Sequence, residues 1–142
     1  MKTIFTLLTL MFSFYAYNQS SDLEKKVYEK LNNYKLKFNG DSTDFSENIS
    51  TECRNHSQLM LKKKELFHAT TNFIGEIVQQ TSKFYCTDTA YLCNVDELAQ
   101  KILTNFLNSP PHKENLENDY KTIGVGILED ERGKIWVTIR FW

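Results

Sequence analysis

Apolar residues recur at helical spacing along most of this chain, and near its C-terminus the period drops to two. Leu23, Val27, Leu31, Tyr34 and Phe38 lie on one face of a helix, with Lys and Asn opposite them. Ser21 followed three residues later by Glu24 has the form of a capping box, and Asn39-Gly40 supplies a stop. A polar, turn-like stretch over 41–48, with Phe45 as its apolar plug, leads to a second helix expected over 51–65. That helix places Cys53, His56 and Met60 on one face. The segment 67–81 reads as a short helix capped by Thr70 or Thr71 and carrying Phe73, Ile74, Ile77 and Val78. After an irregular aromatic stretch, Asn94 and Glu97 open the clearest helix, with Leu98, Ile102 and Phe106 as its stripe. Ala99, Leu103 and Leu107 widen the stripe enough to pack on a sheet. Pro110-Pro111 ends it.

From Ile123 onward the pattern is β. Ile123, Val125 and Ile127 alternate with Gly124 and Gly126, and Ile135, Val137, Ile139 and Phe141 alternate with Trp136, Thr138 and Arg140. The polar turn between them contains Gly133, so the two runs predict an antiparallel hairpin. Both faces of the last strand carry large side chains, which implies helices on both sides. Gly124 and Gly126 share one face, where something must approach the backbone closely. The expected fold is α+β: a three-layer α/β/α sandwich with a small antiparallel sheet ending in a C-terminal hairpin. A further strand between the first two helices, or near 83–85, would complete it.

At 142 residues the chain suits one domain, expected over 21–142. Residues 1–16 begin with Lys2 and run through a nearly unbroken apolar stretch, too short to cross a bilayer comfortably. They read as a signal peptide, the alternative being an uncleaved N-terminal anchor. Cleavage would leave a secreted, extracellular or periplasmic protein that is not integral to a membrane. By removing Lys2 it would also move the formal net charge from -1 to -2. That balance argues against nucleic acid as a partner. The short run Lys62-Lys63-Lys64 reads as a solvated helix end.

In an exported chain, Cys86 and Cys93 around a polar turn can close a small disulfide loop, the alternative being two free thiols. Cys53, among apolar helix positions, reads as a buried thiol. Gly75-Glu76 lies inside an apolar patch, so Glu76 either faces solvent or has a cationic or donor partner.

Several segments resemble the CAP superfamily, also called the SCP family, in its short bacterial extracellular form. Residues 31–35, LNNYK, are similar to a first-helix motif Leu-Asn-x-x-Arg. Residues 54–60, RNHSQLM, followed by Phe67-His68, resemble Ala-x-x-His-Ser-x-x-Met leading into Phe-x-His. Gly75-Glu76 matches the start of Gly-Glu-Asn. The most specific block is 106–126, where FLNSPPHKENL and YKTIGVG resemble Trp-x-x-Ser-Pro-x-His-Arg-x-Asn-Ile/Leu and its continuation. The resemblance spans about residues 23–142. Lys35, Ile77, Phe106 and Arg140 depart from it, standing for Arg, Asn, Trp and Gln.

By that resemblance, His68, Glu76 and His112 line a central cleft, with Ser109 near the position of a second family acid. His56 falls where the family has no ligand. Two imidazoles and a carboxylate are suitable ligands for Zn²⁺, an expected metal set His68, Glu76 and His112. The resemblance implies a binding or interaction module for a small ligand, lipid, ion or extracellular protein. The alternative is a zinc-assisted hydrolase acting on peptide or cell-wall material, with Glu76 and His112 as its acid–base groups. A purely structural interaction role is a third reading. Ser109 is expected to cap the turn into the proline pair, and Asn115 to tie the same loop.

Overall fold

The computed structural model describes residues 21–70, 73–88 and 91–142; the expected signal peptide and Thr71 lie outside them. In chain order the elements are α1 (Asp22–Asn39), β1 (Asp44–Phe45), α2 (Glu47–Lys63), β2 (Gly75–Ser82), α3 (Val95–Leu107), α4 (Pro110–Glu117), β3 (Thr122–Glu129) and β4 (Lys134–Phe141). The strands form one sheet in the order β1-β3-β4-β2. It is the expected α+β sandwich with one correction. The two-residue β1 runs parallel to β3, so the sheet is mixed rather than purely antiparallel.

The alternation of β3 and β4 divides the core. Odd-numbered residues, among them Ile123, Val125, Ile135, Val137, Ile139 and Phe141, pack with Val27 and Leu31 of α1 and the stripe of α3. On the even-numbered face Val78 and Trp136 meet Met60 of α2. The two glycines explain how α2 comes so close. A Cβ on Gly126 would lie 2.1 Å from the Arg54 backbone nitrogen, and one on Gly124 would lie 2.4 Å from Ile49 Cγ2.

Because β1 is so short, most of the β3 edge lacks a strand partner. Its N–H groups are satisfied by side chains instead: Val125 N–H donates to Ser50 Oγ at 3.0 Å, and Ile127 N–H to Glu24 Oε1 at 2.9 Å. Glu24 therefore does more than close the capping box with Ser21. It is buried, accepts from Arg54 Nη1 at 3.0 Å, and burial pushes its carboxyl above the usual range. Lys35 is also fully buried, where the stripe pattern would place a surface lysine. Its ammonium donates to Leu116 O at 3.1 Å and to Asn118 O, fastening the end of α4 to α1.

Several segments depart from expectation. Residues 75–82 are a strand, not part of a helix, paired with β4 from Gly75 opposite Phe141 to Ser82 opposite Lys134. Ile77 faces one core layer and Val78 the other, so a strand buried on both faces showed a continuous apolar run instead of an alternation. The proline pair ends α3 and also begins α4, where missing N–H groups cost nothing. The second helix starts earlier than expected, with Ser46 accepting from Ile49 N–H as its cap. The 83–85 segment contributes only an isolated bridge, Phe84 to Leu92.

Cys86 and Cys93 are joined in a disulfide, and Cys53 is a buried free thiol. Burial pushes the Cys53 thiol up to about 12. It should resist alkylation by iodoacetamide in the native state at pH 8 and react only in denaturant, as mass spectrometry would read directly.

Candidate functional site

The site is built where the ends of β2 and β4 meet the loop that follows α2. Glu76 is the second residue of β2 and stands opposite Arg140 of β4 in the antiparallel register, so both side chains leave the same face. Arg140 Nε donates to Glu76 Oε2 at 2.8 Å. The other carboxylate oxygen accepts from Ala69 N–H at 2.9 Å and lies 3.1 Å from His68 Nδ1. The Glu76 side chain is only 9% exposed and Arg140 4%, so the pair is removed from water. The alternatives left open for Glu76 resolve in favour of a cationic partner.

Arg140 is itself held on three sides. Its guanidinium stacks over the Phe73 ring at 4.5 Å, and Nη1 lies 3.7 Å from Glu52 Oε2 of α2. Phe73 in turn meets Trp142 edge-to-face at 6.1 Å. With exposed Ile74 and half-exposed Trp142, these rings form an apolar rim. His56 behaves as the packing histidine expected of it. Its Nε2 bonds Phe67 O at 2.8 Å and its ring packs edge-on against Phe67, which anchors the loop carrying His68.

His112 comes from the first turn of α4, its ring edge-on to Phe106 at 5.3 Å. Burial, with the neighbouring His68 charge adding to it, holds its imidazole below the ordinary value. A folded-state pKa below the unfolded one means stability fully present above the unfolded value and lost as pH falls through the folded one. Urea titrations should therefore show stability dropping on acidification below pH 6.5, the ordinary histidine value, and part of that drop should vanish in His112→Gln.

Ser109 occupies the N-cap position of α4, but its hydroxyl makes no capping bond; its carbonyl accepts from Lys113 N–H at 2.9 Å instead. Asn115 ties the region as expected, reaching Pro111 O at 3.4 Å and accepting from Tyr120 OH at 3.2 Å. The same Tyr120 hydroxyl would lie 2.6 Å from a Cβ at Gly75, so a glycine lets α4 sit against the start of β2.

Among the described residues no group of three or more His, Cys, Asp and Glu side chains is arranged to hold a metal ion. The reason is visible at Glu76, whose oxygens are already taken by Arg140, Ala69 and His68. As they stand, these residues do not fit a three-ligand zinc site.

Sequence reasoning missed Arg140 as the partner of Glu76. The signal was present: Arg140 lies on the same parity as Trp136 and Thr138 in a strand buried on both faces, so it needed an anion.

No family model matches the sequence, and no curated protein matches it. Solved structures do. The chain is similar to an outer surface protein of Borrelia burgdorferi, with 16% identity and a TM-score of 0.64 over 87% of this chain and 94% of that one. It is also similar to an extracellular protein of Bacillus anthracis that contains an SCP domain. That match has 16% identity and a TM-score of 0.60 over 84% of this chain and 40% of the other. The chain has the SCP-domain fold. The hookworm platelet inhibitor shares it at 12% identity and a TM-score of 0.54, over 88% of this chain and 71% of that one. The layering and the closing hairpin are those expected from the sequence, whereas the α4 helix that opens on the proline pair was not foreseen.

Proposed function

We propose that this SCP-fold chain is a secreted binding module whose cleft, lined by His68, Glu76, Ser109 and His112, holds a small ligand with an apolar part. The observation that carries this reading is the engagement of Glu76 by Arg140 at 2.8 Å. Both oxygens of that carboxylate already have partners, Arg140 on one and the Ala69 N–H and His68 on the other, so the group best placed for general-base hydrolysis is occupied. His112, held below its ordinary value, is neutral at pH 7 and offers one donor and one acceptor. The rim of Phe73, Ile74 and Trp142 adds apolar surface beside those polar groups. Secretion is supported by the apolar leader and by the Cys86–Cys93 disulfide, a bond favoured outside reducing compartments.

Dansyl-undecanoate is a suitable probe, because Trp142 beside the rim can transfer excitation to it. The reading expects saturable transfer that falls in Trp142→Phe, which leaves only the buried Trp136 as donor, and is weakened in His112→Ala, with the circular dichroism of both unchanged. Absence of saturable transfer, or transfer indifferent to both substitutions, would contradict it.

A further inference from the structure

A groove of about 350 Å³ opens between the disulfide loop and α3. None of its lining residues belongs to the His68–His112 cleft. Gln100, Thr104 and Asn105 of α3 contribute neutral polar groups to it. Gln100 Nε2 donates to Thr104 Oγ1, and Asn105 Nδ2 to Thr81 Oγ1, both at 3.3 Å. Bonds that long and exposed exchange readily for those of a ligand hydroxyl.

The charged groups around the groove are already engaged. Asp96 pairs with Lys30 at 3.0 Å, and Glu97 accepts from Asn94 N–H at 2.9 Å. The Lys101 ammonium donates to Ser82 O at 2.9 Å and Phe84 O at 2.8 Å. The lining groups with the weakest present partners are therefore the neutral donors and acceptors of Gln100, Thr104 and Asn105.

Tyr85 stands at the edge of this groove with a backbone φ of 57°, in the left-handed region that bulky residues avoid. Its N–H donates to Tyr91 O at 3.0 Å, Cys93 N–H donates to Lys83 O at 2.9 Å, and the Cys86–Cys93 disulfide closes the same loop. These bonds hold the strained conformation in place. Yet Tyr85 is 71% exposed, and among the described residues its one ring contact is with Tyr91, perpendicular to it at 5.2 Å. Packing does not account for an aromatic ring fixed by strained backbone and left in water. Such outliers gather at binding sites.

We propose that this groove is a subsite for a neutral saccharide. The Tyr85 ring would take the apolar C–H face of a pyranose, while Gln100, Thr104 and Asn105 bond its hydroxyls. An aromatic plate beside planar amides matches a sugar, which is apolar on its faces and polar around its rim. The volume lies within the roughly 300–1,000 Å³ that small-ligand sites occupy.

The test is an NMR titration of the ¹⁵N-labelled chain, as secreted, with chitotriose and separately with maltotriose. One of the two is expected to shift the Tyr85 backbone amide and the Gln100 and Asn105 side-chain amides while leaving His68 and His112 unmoved. Tyr85→Gly removes the ring and relieves the left-handed strain, so this variant should fold at least as stably as the parent. It should bind about tenfold more weakly, as the loss of one aromatic contact does. Gln100→Ala should weaken binding as well. No shifts with either saccharide, shifts gathered in the His68–His112 cleft, or unchanged affinity in Tyr85→Gly would overturn the proposal.

Discussion

Gly126→Ala should be the most damaging single methyl that can be added to this protein. The new Cβ would lie 2.1 Å from the Arg54 nitrogen and 2.2 Å from the Cys53 carbonyl carbon, both backbone atoms of α2. Neither can swing aside as a side-chain tip can, so α2 must retreat from the sheet. That movement would loosen Met60 from Val78 and Trp136 and pull Ser57 Oγ from Gly126 O, now 3.0 Å apart. The expected loss is about 3 kcal/mol or more, the upper range of overpacking. Differential scanning calorimetry should read it as a fall in Tm of roughly 10 °C. Gly40→Ala is the informative contrast. Gly40, unlike Gly126, has a positive φ, 79°, and a Cβ there meets nothing within 4 Å, so only the left-handed backbone is penalised, by about 1 kcal/mol. If the two substitutions cost the same, close packing of α2 is not what these glycines serve.

Arg140→Ala should have the second large effect. It leaves Glu76, 9% exposed, without its cation, and removes the plate that packs on Phe73. Deleting one partner of a buried pair typically costs about 3–5 kcal/mol, most of it the burial of the remaining charge. Removing Glu76 as well should recover much of that loss, because the stranded charge goes with it. A double-mutant cycle by urea denaturation would thus give a coupling well above additivity. Arg140→Gln should fall between the parent and Arg140→Ala, since an amide can still donate to the carboxylate while neutralising nothing.

Much of this fold was legible because its signals are local. The capping boxes at Ser21–Glu24 and Asn94–Glu97 formed as their spacing implied, and the alternation after Ile123 gave the hairpin. What stayed hidden depends on partners distant in the chain. Glu24 finds Ile127 and Arg54, and Lys35 finds the end of α4, so each is buried by contacts that no window of ten residues contains. The β2 segment misled because a strand covered on both faces loses its period, leaving Ile77-Val78 indistinguishable from a helical run. At the site, the same distance separated what was found from what was missed. His68, Glu76 and His112 were singled out by motif, and of these His68 lies 3.1 Å from Glu76. Arg140, 64 residues beyond Glu76, changes what that carboxylate can do.

The most direct measurement is product release from quenched fluorescent peptides and labelled cell-wall fragments, with Zn²⁺ supplied, for the parent chain, Glu76→Gln and His112→Ala. With Glu76 held by Arg140 and the Ala69 N–H, the parent should release product no faster than either variant. Turnover in the parent that disappears in both variants, together with stoichiometric zinc, would establish the hydrolase and contradict a binding cleft.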